Sequence, residues 1–387
     1  MKRLSIIMTH PIQYNAPWIR LLAEREKIEI KVFYTWSQVE NGSKFDPGFK
    51  KNIEWDIPLL SGYNYEFIKN TAKHPGTRKH SGIINPGLIS AIENWKPDAI
   101  LVNGWNFKSH LQCINYFHKR IPVFFRGDST LLDEQNGIRS MVRKVALKSV
   151  YKKVDYALYV GLENKKYFLK YGVKEDHLVW TPHAIDNERF APGRDKIKLA
   201  NEIKHNLNIN GDQFVFLYAG KFEIKKDVLL LLDVFSQLNN TNVHLVMVGN
   251  GEMESELKKR GGDNSNIHFL DFQNQKRMPL IYQLADVFVL PSKGPGETWG
   301  LCVNEAMASG KPVLVSNKCG CATDLIEEGK NGYIFESGKS GDLLQKMELL
   351  LKEEKYLARM GEVSLQKIQN WSFEKIATSI ENLVLNI

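Results

Sequence analysis

Two Rossmann-like, doubly wound α/β domains facing a central cleft are the architecture this sequence predicts, and three observations predict it. The chain has 387 residues, and at about 100–200 residues per domain that means two domains or one large one. Short apolar runs, of the kind a parallel strand buried on both faces needs, alternate with helical patterns along the chain. The alternation lapses between 186 and 212, where Pro192, Gly193 and a charged stretch intervene, and then restarts.

In the first half, 4–8 reads as a buried strand and 16–23 as the helix after it. Strands follow at 28–34, 99–103, 123–126, 156–160 and 178–181, with helices at 88–95, 138–151 and 164–171. After the break, strands are predicted at 214–219, 243–248, 267–269, 287–290, 313–316 and 332–335. Helices are predicted at 228–238, 278–284 and 299–308, and an amphipathic helix at 372–385. The expected domains are 1–190 and 205–370, with 371–387 as a helix returning to the first domain.

Hydrophobic residues make up 43% of the chain and charged residues 25%, the balance of a soluble globular protein with enough apolar surface for two cores. That excludes a disordered chain, a collagen-like repeat and a disulfide-rich miniature. Apolar runs such as 228–232 are far below the roughly 20 residues of a membrane-spanning helix. The start, Lys2 and Arg3 before a short apolar run broken by Thr9, His10 and Pro11, reads as a first buried strand, not a secretory signal. Cys113, Cys302, Cys319 and Cys321 match no zinc or redox spacing and are expected to be buried thiols of a cytoplasmic protein. The net charge of +8 is unevenly spread: residues 1–195 hold 30 Lys and Arg against 20 Asp and Glu, and the rest hold 22 against 24. Such asymmetry suits a first half that faces an anionic partner, nucleic acid or a membrane surface, or else a diffuse solvated face.

The sharpest segment is 291–310, PSKGPGETWGLCVNEAMASG. It follows a predicted strand, loops through glycines and opens a helix, so the amides of Trp299, Gly300 and Leu301 sit where a phosphate or diphosphate is held by a helix N-terminus. Gly300 lets a ligand approach the backbone. Glu297 and Glu305, with seven residues between them, are placed to accept hydrogen bonds from sugar hydroxyls; helix capping by Glu297 and a surface Glu305 is the alternative. The second segment, 216–227, places Gly220 at a strand end and Lys221, Lys225 and Lys226 in the loop after it. Two such cations would stabilise charge developing on a diphosphate leaving group, unless they are simply solvated. A third, 248–252, is a glycine turn at Gly249 after another strand.

Together these segments resemble the retaining glycosyltransferases of family 4, which have the GT-B fold. GETWGLCVNEAMASG followed by KPVLVS is close to the family pattern, as are YAGKF…KK, MVGNGE, FLDFQNQKRMPLIYQLADVFVLPS and GKNGYIF; TPHAID at 181–186 is similar to its Pro-Asn-Gly-Val-Asp turn. The resemblance implies that Glu297 holds donor-sugar hydroxyls, with the N–H groups of Thr298 to Leu301 nearby, and that Glu305 binds the nucleotide ribose. It implies phosphate-binding roles for Lys221, which stands where the family usually has Arg, and for Lys226, with Lys225 the alternative one position away. The backbone around Phe272 and Gln273 would face the base. The first half departs from the pattern: His10, Gln13 and Tyr14 follow the first strand instead of a glycine-rich loop, and Arg126 stands where many members have histidine. An arginine is not an ordinary base, so that role is not carried over. Arg126 and Asp128 contact donor or acceptor or pair with each other, and His10 and His183 are cleft candidates or loop caps.

The helix at 139–153 presents Lys144, Lys148 and Lys152 on one face and Val142, Val145, Ala146 and Val150 on another. That suits either an anionic lipid surface or a solvated face over a core contact. No D-x-D triplet occurs, so no metal or other cofactor is expected. The reading is a metal-independent retaining glycosyltransferase that takes a nucleotide-sugar donor at 205–370 and a glycan or lipid-linked acceptor at 1–190, cytoplasmic and peripheral to the membrane, in surface polysaccharide or glycolipid assembly. A sugar-nucleotide 2-epimerase shares the architecture and is the rival. A nucleic-acid-binding protein would explain the basic half, yet exposed aromatics are not interleaved with the basic residues, and no nucleic-acid partner is expected.

Overall fold

The computed structural model describes residues 1–36, 44–46, 48–77, 79–134 and 137–387. The chain forms two compact units. One comprises Met1–Lys44, Ile57–His183 and Phe373–Ile387; the other comprises Phe45–Asp56 and Ala184–Ser372.

The first unit is built on a seven-stranded parallel sheet. Its strands are β1 (Arg3–Met8), β2 (Glu29–Tyr34), β5 (Asn64–Phe67), β6 (Ala99–Asn103), β7 (Val123–Arg126), β8 (Tyr156–Tyr159) and β9 (Leu178–Trp180), in the order β5-β2-β1-β6-β7-β8-β9. β3 (Lys44–Asp46) and β4 (Lys51–Ile53) form a separate two-stranded sheet. The second unit carries β10 (Phe214–Ala219), β11 (Val243–Val248), β12 (Ile267–Leu270), β13 (Val287–Leu290), β14 (Val313–Ser316) and β15 (Gly332–Phe335), ordered β12-β11-β10-β13-β14-β15 and parallel throughout. Both sheets reverse their order beside the first strand laid down, at β1/β6 and at β10/β13. In open α/β sheets that reversal opens a crevice at the carboxyl ends of the strands, where ligands bind.

The central strands form as read because both of their faces are buried and favour apolar residues: all six residues of β10 and of β11 are buried, His244 of β11 being the one polar side chain among them. An aspartate before a strand recurs as a register peg. Asp98 accepts from the Arg3 amide at 2.7 Å, Asp155 from Val123 at 2.8 Å and Asp286 from Val215 at 2.8 Å. Each satisfies a strand-end N–H that the ladder leaves over.

The stretch 186–212, where the predicted alternation lapses, is largely helical. Helices Asn187–Phe190 and Arg194–Asn206 occupy it. Asp186 caps the first, accepting from the Arg189 amide at 3.0 Å. Phe190 then packs its ring 5.7 Å from Tyr282. Charge on the exposed faces masked the apolar ones. A second correction concerns the helix Ile138–Tyr151. Leu147, Val150 and Tyr151 are buried, whereas Val142 and Val145 are 66% and 68% exposed and Met141 65%, so most of the valine face is not a core face. The helix Phe373–Leu385 lies in the first unit against Ala16–Glu24. There Arg25 donates to Thr378 Oγ1 at 3.0 Å and Glu381 Oε2 at 2.9 Å and also pairs with Glu374. Among the described residues no helix is long and apolar enough to cross a membrane.

Candidate active site

In the second unit the loops after β10 and β13 flank the crevice. Gly220 leaves β10 and Gly249 leaves β11 with φ of +144°; a Cβ on Gly249 would lie 1.9 Å from the Gly220 carbonyl oxygen. Only glycine allows these two strand exits to lie so close. The loop after β10 then places Lys226 against Glu297, in the loop after β13, as an ion pair with both side chains mostly buried. The Ser292 hydroxyl donates to the same Glu297 oxygen at 2.8 Å. Burial alone disfavours the Lys226 charge, but the Glu297 carboxylate outweighs it and holds the ammonium above the ordinary lysine range. The Lys293 amide donates to the Lys225 carbonyl at 2.9 Å, and Lys293 Nζ reaches Asp227 at 2.9 Å, so the two loops are stitched together. Lys225 itself turns away, 3.6 Å from Glu223. Of the two neighbouring lysines, Lys226 therefore meets Glu297.

Gly300 caps the helix Leu301–Ala308 in a left-handed conformation, φ +102°. That conformation suits glycine, and the first-turn amides have no intrahelical acceptor. The preceding backbone is fixed from β14: the Gly320 amide donates to Glu297 O and Cys321 to Trp299 O, each at 3.1 Å. A Cβ on Gly320 would lie 1.8 Å from the Thr298 carbonyl. Trp299 is buried, and its indole N–H donates to Asn304 at 2.8 Å; its side chain is structural, leaving its backbone at the crevice. Glu305 is not a surface residue. It is 4% exposed and accepts from the Tyr282 hydroxyl at 2.8 Å. Cys302, whose thiol burial pushes up to about 12, interacts electrostatically with Lys226.

At the next strand, buried Asn250 accepts from the Phe272 amide at 2.9 Å and donates to Asp271 at 2.9 Å. This positions the Phe272–Gln273 backbone. Sequence reasoning named Phe272 and Gln273 but missed Asn250, Ser292, Tyr282 and Gly320, which hold the site residues in place. It also missed the inserted segment Phe45–Asp56. There Asp46 pairs with Lys221 at 2.9 Å, Lys51 with Asp271 at 3.0 Å, and the Phe49 and Trp55 rings lie 4.8 and 6.3 Å from Phe272. Burial raises the Asp46 carboxyl, but Lys221 and the Phe49 and Gly48 amides more than reverse this and hold it below the usual range. No local pattern marks Asp46, because its partner is 175 residues away.

The first unit builds its sheet edge from side chains. Arg126 ends β7 buried, donating to the carbonyls of Thr181 and Pro182 at 3.2 and 3.1 Å. Burial lowers it to about 10. It is a strut for the loop after β9; Asp128 interacts electrostatically with Arg126 and lies 3.8 Å from His183 Nε2. Burial holds His183 below the ordinary histidine value. His10 contacts the Thr9 hydroxyl through Nδ1 at 2.9 Å and meets Trp36 edge-on; Gln13 lies nearby in the same partly buried loop. A cavity of 380 Å³ opens past β6 and β7, lined by Trp105, Asp128, Ser129, Arg143, Tyr151 and Tyr167 among others.

Fold and site together define the class: an α/β protein with the GT-B architecture, whose second unit holds a carboxylate–lysine pair beside a helix N-terminus. Residues 200–366, less than half of the chain, match the family described as glycosyl transferases group 1. The chain is 27% identical over 199 residues to the sulfoquinovosyl transferase SQD2 of Arabidopsis thaliana, covering 51% of this chain and 36% of that one. It is 29% identical over 200 residues to the lipopolysaccharide 1,2-N-acetylglucosaminetransferase of Salmonella typhimurium, covering 48% and 52%. The matches thus span about half or less of these curated relatives. Among solved structures, sucrose-phosphate synthase from Thermosynechococcus elongatus superposes with a TM-score of 0.74 at 16% identity, covering 100% of this chain and 99% of that one. Anabaena Alr3699/HepE in complex with UDP and glucose gives 0.72 at 18%, covering 100% of both. These likenesses establish the fold.

Proposed function

We propose that the protein is a retaining, metal-independent glycosyltransferase. It moves a sugar from a nucleotide-diphosphate sugar to a glycan or lipid-linked acceptor in surface polysaccharide or glycolipid assembly. The observation that carries this is the Lys226–Glu297 pair at the β10/β13 reversal, beside the N-terminus of Leu301–Ala308. Glu297 accepts hydrogen bonds from donor-sugar hydroxyls, and Glu305 serves the ribose. Lys226, Lys221 and the helix amides take up the negative charge that grows on the diphosphate as the glycosidic bond breaks. These cations supply what a metal would otherwise supply. The acceptor attacks from the face the diphosphate leaves, and the departing phosphate takes the acceptor proton. UDP, bound by the Anabaena relative, is the first donor nucleotide to test.

A thermal-shift screen of nucleotide sugars tests the donor. The matching compound at 100 times its Kd stabilises the fold by about 2.7 kcal/mol, and a flat response across UDP-, GDP- and ADP-sugars refutes it. Without acceptor the expected product is slow donor hydrolysis, whereas an epimerised donor would mark a 2-epimerase.

For the acceptor's carrier, the observation is the exposed Met141, Val142 and Val145 on the helix that also presents Lys144, Lys148 and Lys152. Apolar side chains between lysines suit the headgroup layer of an anionic bilayer, where each lysine contributes about 1 kcal/mol. Cytoplasmic, salt-reversible attachment follows. Wild type is expected to co-sediment with anionic vesicles at low salt, and a triple Lys→Glu variant to remain in the supernatant. Equal partitioning of the two would count against a membrane partner.

A further inference from the structure

The inserted segment Phe45–Asp56 lies in the second unit although the chain on both sides of it belongs to the first. Its attachments are specific. Asp46 grips the Lys221 ammonium with both carboxylate oxygens, at 2.9 and 3.0 Å. Lys221 Nζ also lies 5.0 Å from the centre of the Phe49 ring. Gly48 makes room for this: a Cβ there would lie 2.7 Å from Lys221 Nζ and 2.5 Å from Glu223 Oε1. Further along, Phe49 and Trp55 pack edge-on against Phe272, and Lys51 pairs with Asp271. The Asn274 amide donates to the Glu54 carbonyl at 2.5 Å, and the Lys276 backbone N–H to Asp56 at 3.1 Å.

These contacts fall at the two ends of the donor site argued above, on which this inference rests. Aromatic rings sit at the end assigned to the base, and a carboxylate sits on a lysine assigned to the diphosphate. A nucleoside diphosphate has the same chemical order, an aromatic ring and then an anion. We propose that the segment is an internal stand-in for the donor nucleotide, a strap that occupies the site when it is empty and that an incoming nucleoside diphosphate displaces.

The reason is electrostatic. A diphosphate brought to Lys221 meets the Asp46 carboxylate at close range, and like charges in a partly buried site repel. Either the carboxylate leaves or the phosphate binds poorly. The Lys51–Asp271 pair adds little to the cost of departure, because it is exposed and such pairs contribute little. Lys221 meanwhile exchanges one anion for another and keeps its charge compensated. The docked strap thus lowers apparent donor affinity by the fraction of molecules in which the site is open.

The test compares full-length wild type with Asp46→Asn and Phe49→Ala, using calorimetry with UDP, GDP and ADP and with the corresponding nucleosides. If about nine molecules in ten carry the docked strap, releasing it tightens diphosphate binding about tenfold. Both substitutions are expected to tighten it, by about 5- to 10-fold. Trypsin reads the strap directly: the cognate diphosphate is expected to speed cleavage of wild type after Lys50 and Lys51. Weaker diphosphate binding by Asp46→Asn, or slower or unchanged cleavage on ligand addition, overturns the proposal, because Asp46 would then be orienting Lys221 for the phosphate. If wild type binds diphosphates and the variants bind them equally well, the strap fails while the donor reading stands. If neither wild type nor variants bind any of the three, both fail.

Discussion

The two sheets share strand order and direction of winding, yet the edges at the carboxyl ends of their strands are made of different material. The second unit's edge is largely backbone: Gly220, Gly249 and Gly300 bring main chain to the crevice, and one buried lysine–glutamate pair sets its charge. The first unit's edge is side chain: Arg126, Asp128 and His183 and an aromatic-lined cavity. A backbone edge suits a ligand part that never changes, such as a diphosphate, since amides and helix ends recognise charge without regard to the rest of the molecule. A side-chain edge is free to change with each acceptor.

Predictions that break or sharpen this contrast run from large effects to none. Glu297→Ala is expected to lower transfer by about 10²–10³-fold, the scale of losing one preorganised polar group at a reacting centre, with the circular dichroism spectrum retained. Turnover within a few-fold of wild type would leave the second edge without its carboxylate role.

Acid titration probes the first unit. His110 is buried, with Nε2 3.0 Å from Thr35 Oγ1 and Nδ1 2.9 Å from the Gly104 carbonyl. Burial lowers it to about 4, against about 6.5 in the unfolded chain. Between those values the unfolded chain binds more protons, so stability falls as pH drops from about 6.5 to about 4, by about 3 kcal/mol. Denaturant melts of His110→Gln should show a shallower decline over that window, and an unchanged slope would remove His110 from the account.

Lys226→Ala is expected to weaken nucleoside diphosphate binding by about 1.5–3 kcal/mol and nucleoside binding far less, with Lys225→Ala nearly silent. A larger loss from Lys225→Ala would shift the phosphate lysine by one position. At the small end, EDTA is expected to leave turnover unchanged, and a strict requirement for added manganese or magnesium would overturn the metal-independent reading.

Most of the second unit was legible because its chemistry is local. GETWG and the lysines after Gly220 announce themselves within one loop each, and two-sided burial turns β10 and β13 into unbroken apolar runs and β11 into one broken only by His244. What stayed hidden was what depends on distance in sequence. Asp46 finds Lys221, Tyr282 finds Glu305 and Gly320 supports Thr298 only after the strands align. The helices Ser340–Lys352 and Leu357–Ile368 went unread because charged residues are dispersed among the few they bury. In the first unit the exposed valines of Ile138–Tyr151 show the same limit, since periodicity reports a shared face but not what covers it.

The docking of Phe373–Leu385 against Ala16–Glu24, with Arg25 held by Glu374, Thr378 and Glu381, also imposes an order on biosynthesis. The ribosome delivers the opening strands of the first unit early and their closing helix only after all of Ala184–Ser372 has emerged. The second unit has most of its chain in hand while the first still exposes the surface that Ile376, Ile380 and Val384 will cover. A nascent chain stalled in that interval would present this uncovered stripe to chaperones, and removal of Phe373–Leu385 would unsettle a unit built mainly from residues far earlier in the sequence.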